Sequence, residues 1–328
     1  MDAFQVSPNK VIDSEQKLRT IIPAYPQILD KRIRPALDHY CFEIIRHASL
    51  LVFASSGAYP IDIFHQSQVK ILDDKTIQIQ CNRAVQNRGD IFASLYFLIP
   101  GVGHGLRVNG RLCKHKDTLI LSVIGAYTHC ARAAARSELW RGRSINPSDI
   151  KTPQTFIKAS PYLLLKTMNS AFETELSPRG DHAGFVQLLN PDTVFIPERP
   201  GNKVAISLRN ILKMKDIELL MLVPGSSVTM RVTGSALLYE DPTLLEKAAI
   251  KNKRPKLGIL LEGCRFEIRE TVSIIQADAW KPENQLDEKQ LTRFPKVLSA
   301  HMNGDGVIGK AMTPIVKAIV KHDMNHLY

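Results

Sequence analysis

Cysteine is scarce in this chain. Its five residues, Cys41, Cys81, Cys113, Cys130 and Cys264, form no C-x-x-C pair, and their number is odd. That argues against a zinc ribbon or a disulfide framework and for reduced thiols. No apolar run approaches the length of a membrane span, so no partner membrane is expected. The opening Met1-Asp2-Ala3-Phe4-Gln5 lacks the basic-then-apolar order of a secretory signal, so a cytoplasmic location is expected. Aromatic residues make up only 7%, which leaves little for a base-stacking platform. Acidic residues are in deficit, 32 against 43 Lys and Arg, for a net charge of +11. An excess of that size favours an anionic partner such as a phosphate or nucleotide. With 44% apolar and 23% charged residues, the composition is that of a folded protein with a real core.

An internal repeat organises the sequence. Leu98-Ile99-Pro100-Gly101 and Leu106-Arg107-Val108-Asn109-Gly110 return as Leu222-Val223-Pro224-Gly225 and Met230-Arg231-Val232-Thr233-Gly234. The shift is 124 residues for both elements. Upstream, the strand-turn-strand pattern at 72–79 returns at 189–196 with a shift of 117, a hairpin signature in each copy. The second copy therefore carries seven extra residues between its hairpin and its Pro-Gly turn. The two tryptophans, Trp140 and Trp280, extend the match with a spacing of 140. Several elements repeated in order indicate duplication. The expected division is a helical leader at 1–39, an N-terminal half at 40–145, a C-terminal half at 155–285 and a helical tail at 286–328. Dense short strands between Gly, Pro, Asn and Asp predict a mainly β fold with added helices, a barrel or sandwich in each half. Helical character is expected over 126–139, and a turn at Asn303-Gly304-Asp305-Gly306 between two helices of the tail.

Ser177-Pro178-Arg179-Gly180-Asp181, Arg199-Pro200-Gly201-Asn202-Lys203 and Ser207-Leu208-Arg209-Asn210 carry a resemblance. Over most of 155–300 the chain resembles the pyridoxamine 5'-phosphate oxidase-like FMN-binding split barrels, and the N-terminal half resembles them more weakly. The resemblance implies two tandem split barrels forming an intramolecular pseudodimer, with FMN as cofactor in the groove between them. The chemistry of the residues is compatible: a phosphate dianion needs guanidinium forks, a lysine and N–H donors. Arg179, Arg199, Asn202, Lys203, Ser207, Arg209 and Asn210 offer these, and Pro200-Gly201 permits close backbone approach.

The halves differ in what they retain. At the position of Arg179 the N-terminal half has Ile61, and it lacks the seven residues of the 199–209 loop. It keeps instead His129-Cys130-Ala131-Arg132, running to Arg136 and Trp140, which is similar to the family segment that reaches the flavin of the opposite subunit. The C-terminal half has Arg269, Glu270 and Gln276 there, and keeps only Trp280. One composite site would then inherit every part, contacted by Arg136 and Trp140 from one half and the phosphate loop from the other. The expectation is one FMN per chain.

On helical spacing His129, Arg132 and Arg136 share a face, and His129 is the one catalytic candidate. Cys130 reads as a small apolar residue, and no spacing supports a metal. The expected function is a flavin-dependent oxidoreductase acting on an unidentified small molecule, with further pairing into homo-oligomers left open. The alternatives are a haem- or deazaflavin-binding split barrel, with His104, His115 and His129 open as haem ligands, or a non-catalytic anion- or nucleic-acid-binding protein. The basic run Lys251-Asn252-Lys253-Arg254-Pro255-Lys256 reads as a solvated loop.

Overall fold

The computed structural model describes residues 4–81, 91–143 and 145–328. Fifteen strands and nine α-helices are found among them. The first strand and helix are β1 (Val11–Ile12) and α1 (Glu15–Ile21), followed by α2 (His39–His47). The N-terminal sheet comprises β2 (Leu50–Ser55), β3 (Asp62–His65), β4 (Val69–Asp73), β5 (Thr76–Gln80), β6 (Ile91–Leu98), β7 (Gly105–His115) and β8 (Thr118–His129), and then α3 (Arg132–Ser137) follows. The second half opens with α4 (Pro153–Ala159). It continues through β9 (Tyr162–Met168), β10 (Thr174–Gly180), β11 (Gln187–Asn190), β12 (Thr193–Pro197), α5 (Ile206–Ile211), β13 (Asp216–Leu222) and β14 (Val228–Tyr239). It closes with α6 (Pro242–Lys247), β15 (Gly258–Glu270) and α7 (Val272–Ala277). The tail forms α8 (Phe294–Asn303) and α9 (Val307–Asn325).

The duplication is complete at the level of topology. One sheet has the order β3-β2-β6-β7-β8-β5-β4 and the other β10-β9-β13-β14-β15-β12-β11, the same path moved by seven strands. Details repeat as well. The hairpin of β4 and β5 carries a register irregularity between Ile71 and Asp73, and that of β11 and β12 carries one between Leu188 and Asn190. These sites are separated by the 117 residues of the sequence repeat. Gly101 and Gly225 both take positive φ, +84° and +89°, which glycine adopts without Cβ strain. The Pro-Gly turn therefore has one geometry in both halves. The extra residues of the second copy form α5 and the loop before it. Their N-terminal counterpart falls at 82–90, outside the described residues.

Each half closes its own core, around Leu51, Phe53 and Leu95 in the first and Leu163, Leu219 and Met221 in the second. A third cluster belongs to neither. Val52, Ile63 and Tyr96 of the first half pack against Tyr162, Leu164 and Leu220 of the second, all at most 4% exposed. Strand faces that point away from the two barrel cores thus bury each other, which is why β2 and β9 are apolar on both faces. The product is two split barrels joined back to back as a pseudodimer.

The terminal segments are exchanged. The leader is only partly helical: β1 extends the C-terminal sheet beside β14, and Leu18 of α1 is sealed in the C-terminal core. The tail crosses the other way. Leu291 enters the N-terminal core, and the backbone N–H of Thr292 donates to Glu43 of α2. The expected turn at 303–306 separates α8 from α9. The expected helix over 126–139 is corrected. β8 runs through His129, its residues from 118 to 123 alternating between exposed and shielded, and only 132–137 are helical.

Candidate functional site

β10 ends at the junction between the halves. Its Gly180 lies so close to α3 that a Cβ there would come within 2.1 Å of the Ala133 carbonyl oxygen. This contact brings the C-terminal Arg179 beside the N-terminal α3. The loop after β12 then turns back over the same place, with Lys203 and Ala205 at φ +64° and +57°. Between these elements lies a cavity of about 560 Å³, of a size that suits a cofactor or a small molecule.

Arg136 and His129 from the first half line it together with Arg179, Arg199, Asn202, Lys203 and Ser207 from the second. Three residues expected at the site are not among those that line the cavity. Trp140 packs on Trp280 and donates its indole N–H to the Val102 carbonyl. Arg209 pairs with Glu15 at 3.0 Å, and Asn210 is buried with its amide donating to Thr167 Oγ1. The reason is local: Arg209, two residues from Ser207, lies on another face of α5, and Asn210 is turned onto Thr167 of β9. Arg132 lines it as well, beside Arg136 with which it was expected to share a face, and Arg32, Arg107, Tyr127 and Tyr328 also reach the cavity, although the residue pattern did not place them there. The run 251–256 is not merely a solvated loop, because Lys253, Arg254 and Lys256 border the cavity. Cys130 is half-buried on the wall rather than in a core.

The site is strongly electropositive. Among the described residues ten Lys and Arg line it against a single acidic side chain, Glu198. Arg179 donates from Nε to Glu198 at 2.9 Å and from Nη2 to Ser207 Oγ at 2.6 Å. Arg199, 8% exposed, is paired with the fully buried Asp181. Arg107 crosses the junction from β7 to Glu175 on β10, with 2.6 Å between charged atoms. Its counterpart in the repeat, Arg231, stays within its own half, on Glu218 and Glu267. Arg136 has carbonyl partners only, Leu327 O and Pro200 O, both at 2.7 Å. Burial, followed by the nearby Arg132, draws its guanidinium down to about 10. Burial, then the charges of Arg107, Arg32 and Arg179, holds His129 well below 6.5, so the imidazole is neutral at neutral pH. Three nitrogens sealed from solvent, Arg107 Nε, Arg132 Nε and His129 Nε2, find no hydrogen-bond partner among the described residues. Surplus donors and unbalanced positive charge suit a phosphate-bearing ligand.

The pseudo-symmetric groove is built differently. Ile61 there is fully buried in the junction cluster, and Arg269, in the place of His129, forms an ion pair with Asp62 across the halves. Of the other histidines once open as haem ligands, His104 is buried on Glu288 and His115 ends β7, so neither lines the cavity. No helix among the described residues is long and apolar enough to cross a membrane.

No protein-family model matches this sequence, and no curated protein does. Solved structures do. HupZ from Group A Streptococcus is 15% identical, covering 38% of this chain and 94% of its own, with a TM-score of 0.30. A Clostridium acetobutylicum protein related to general stress protein 26, of the pyridoxinephosphate oxidase family, is 9% identical over 38% of this chain and 91% of its own, with a TM-score of 0.28. HutZ, the haem storage protein from Vibrio cholerae, is 9% identical over 39% and 95%, with a TM-score of 0.28. Each spans little more than a third of this chain. The strand order on its own shows one seven-strand path used twice in a single polypeptide.

Proposed function

We propose that the chain binds one FMN in the groove between its halves and acts as a flavin-dependent oxidoreductase on a small molecule. The observation that carries this reading is convergence. Arg179, Arg199, Asn202, Lys203 and Ser207 of one half meet Arg136 of the other around one cavity, while the opposite groove has Ile61 and the Arg269–Asp62 pair in the corresponding places.

In this reading Arg179 and Ser207 hold the phosphate, with Glu198 fixing the guanidinium and Asp181 fixing Arg199 behind it. The flavin would supply hydride or electron transfer, and the protein orients the substrate and sets the field around it. The neutral His129 lines the cavity with Nε2 unpartnered but sealed from solvent, so it would accept a hydrogen bond or a proton from a bound substrate once its neighbours shift to expose that nitrogen. FMN titration of the purified protein, followed by flavin absorbance and fluorescence quenching, tests the proposal. Saturation at one equivalent per chain supports it, and saturation at two, or no binding, overturns it.

A second reading rests on the same histidine. His129, a neutral imidazole with an unpartnered Nε2 at the cavity wall, would be the residue to hold a haem iron if haem bound there. Haem titration, with a Soret band lost in His129→Ala, would favour that reading over FMN. Deazaflavin would share the phosphate-binding residues and separates from FMN by direct competition.

A further inference from the structure

The end of α9 returns to the cavity, and its contacts are of an unusual kind. The backbone oxygens of three successive residues each accept from a cation of the cavity wall. Arg132 Nη2 donates to His326 O at 2.9 Å, Arg136 Nε to Leu327 O at 2.7 Å, and Lys253 Nζ to Tyr328 O at 2.9 Å. The Tyr328 ring lies against two guanidinium groups, with its centroid 5.7 Å from Arg136 Cζ and 5.4 Å from Arg199 Cζ. Its hydroxyl donates to Asp181 Oδ1 at 2.8 Å, the same carboxylate that holds Arg199. Burial and Asp181 push that hydroxyl well above its ordinary value, so it remains a donor.

The helix leading to this segment is weakly anchored. Along its 19 residues only Gly309 and Val316 are buried, while Val307, Ile308, Ile315 and Ile319 stand more than half exposed. Polar contacts to the cavity cations, rather than apolar packing, fix residues 326–328. Meanwhile Arg132, Arg136 and Arg199 are each 8% exposed, beneath that segment. An anion cannot take Arg132 Nη2 or Arg136 Nε while backbone oxygens of the tail hold them, and the Tyr328 ring lies against the guanidiniums of Arg136 and Arg199.

We infer that residues 326–328 act as an internal competitor for the anion site: the segment holds the cavity cations when no anion is bound and is displaced when a phosphate-bearing ligand enters. The inference rests on the proposed anion site but not on the ligand being FMN. It predicts reciprocal coupling, since whatever releases the tail strengthens anion binding and whatever binds the anion frees the tail.

The test compares the full chain, a chain ending at Asn325, and Tyr328→Ala, each titrated with FMN and separately with inorganic pyrophosphate. Thermal melting confirms that all three are folded. The shortened chain is expected to bind either probe about tenfold more tightly, within the usual range for coupled sites, with Tyr328→Ala between. Saturating pyrophosphate should also speed proteolytic clipping near residue 325 of the full chain. Equal or weaker binding by the shortened chain would overturn the competitor role, whichever probe is used. If pyrophosphate binding tightens while FMN binds none of the three, the competitor stands and the FMN reading falls. If FMN binds the full and shortened chains equally, the reverse holds.

Discussion

Trp140 and Trp280 pack across the junction with ring centroids 5.4 Å apart and planes tilted by 38°, and each donates its indole N–H within its own half, Trp140 to Val102 O and Trp280 to Ser226 O. The two acceptors are 124 residues apart, the shift of the Pro-Gly repeat. Glu138 and Asp278, each two residues before its tryptophan, both take left-handed φ, 50° and 46°. One local device, used twice, therefore pins both barrels to a shared pseudo-twofold axis.

That pairing predicts a stability effect without a ligand effect. Trp280→Ala should cost about 3 kcal/mol in urea unfolding, as for a large aromatic only partly exposed. A double-mutant cycle with Trp140→Ala should return a coupling of about 1 kcal/mol. Trp140→Phe should leave FMN affinity within twofold, because Trp140 does not line the cavity. A large loss of affinity would place Trp140 at the ligand after all.

The Arg107–Glu175 pair should be expensive to break. Arg107 is 1% exposed, and its removal strands a carboxylate that burial already pushes upward despite its partner. Arg107→Met is expected to destabilise by about 3–5 kcal/mol, and the double replacement Arg107→Met with Glu175→Leu to recover most of it. Arg231→Met, the repeat counterpart at the surface of its own half, should cost about 1 kcal/mol or less. Chemical denaturation of the four proteins checks all three statements.

Gly180 sets the fit between β10 and α3. A methyl group there meets a backbone carbonyl that cannot swing away, so Gly180→Ala should destabilise by about 1–3 kcal/mol. Because α3 carries Arg136 to the cavity, FMN affinity should fall as well. At Gly201, where a Cβ meets nothing within 4 Å, the same substitution should be nearly neutral in stability. Paired melts and titrations separate the two sites.

His129 gives a pH dependence of definite sign. Its folded value lies well below 6.5, so between that value and 6.5 the unfolded chain holds a proton the folded chain lacks. Stability then rises with pH and is lost on acidification below about 6.5, by at most roughly 1.4 kcal/mol per pH unit. His129→Gln should flatten the fall in Tm between pH 7 and pH 5. An unchanged slope would mean that the imidazole is protonated in the fold.

Much of this was legible in the residues because duplication writes the same local rules twice. The shifts of 117 and 124 reappear as matching bulges, turns and strand order, since hairpins and Pro-Gly turns are decided by near neighbours. Arg136, Arg179, Arg199 and Ser207 could be selected for the same reason: they sit in short motifs whose chemistry is complete in a few residues. What failed was orientation. Ser207, Arg209 and Asn210 are close in sequence, yet one turn of α5 sends them to different surroundings.

By itself, the sequence determined the two-copy mainly β plan, the differences between the halves at Ile61 against Arg179 and at His129 and Arg136 against Arg269 and Gln276, and the cationic character of the loop at 199–209. Only the tertiary structure decided which cations share a cavity. Arg107 reaches it by crossing the junction while its repeat partner does not, the exchanged terminal segments supply Arg32 and Tyr328, and the run at 251–256 folds onto its rim. These contacts join residues far apart in the chain, 68 positions for Arg107 and Glu175, through the packing of two barrel faces, and no local pattern encodes which distant charge a buried face will bring beside another.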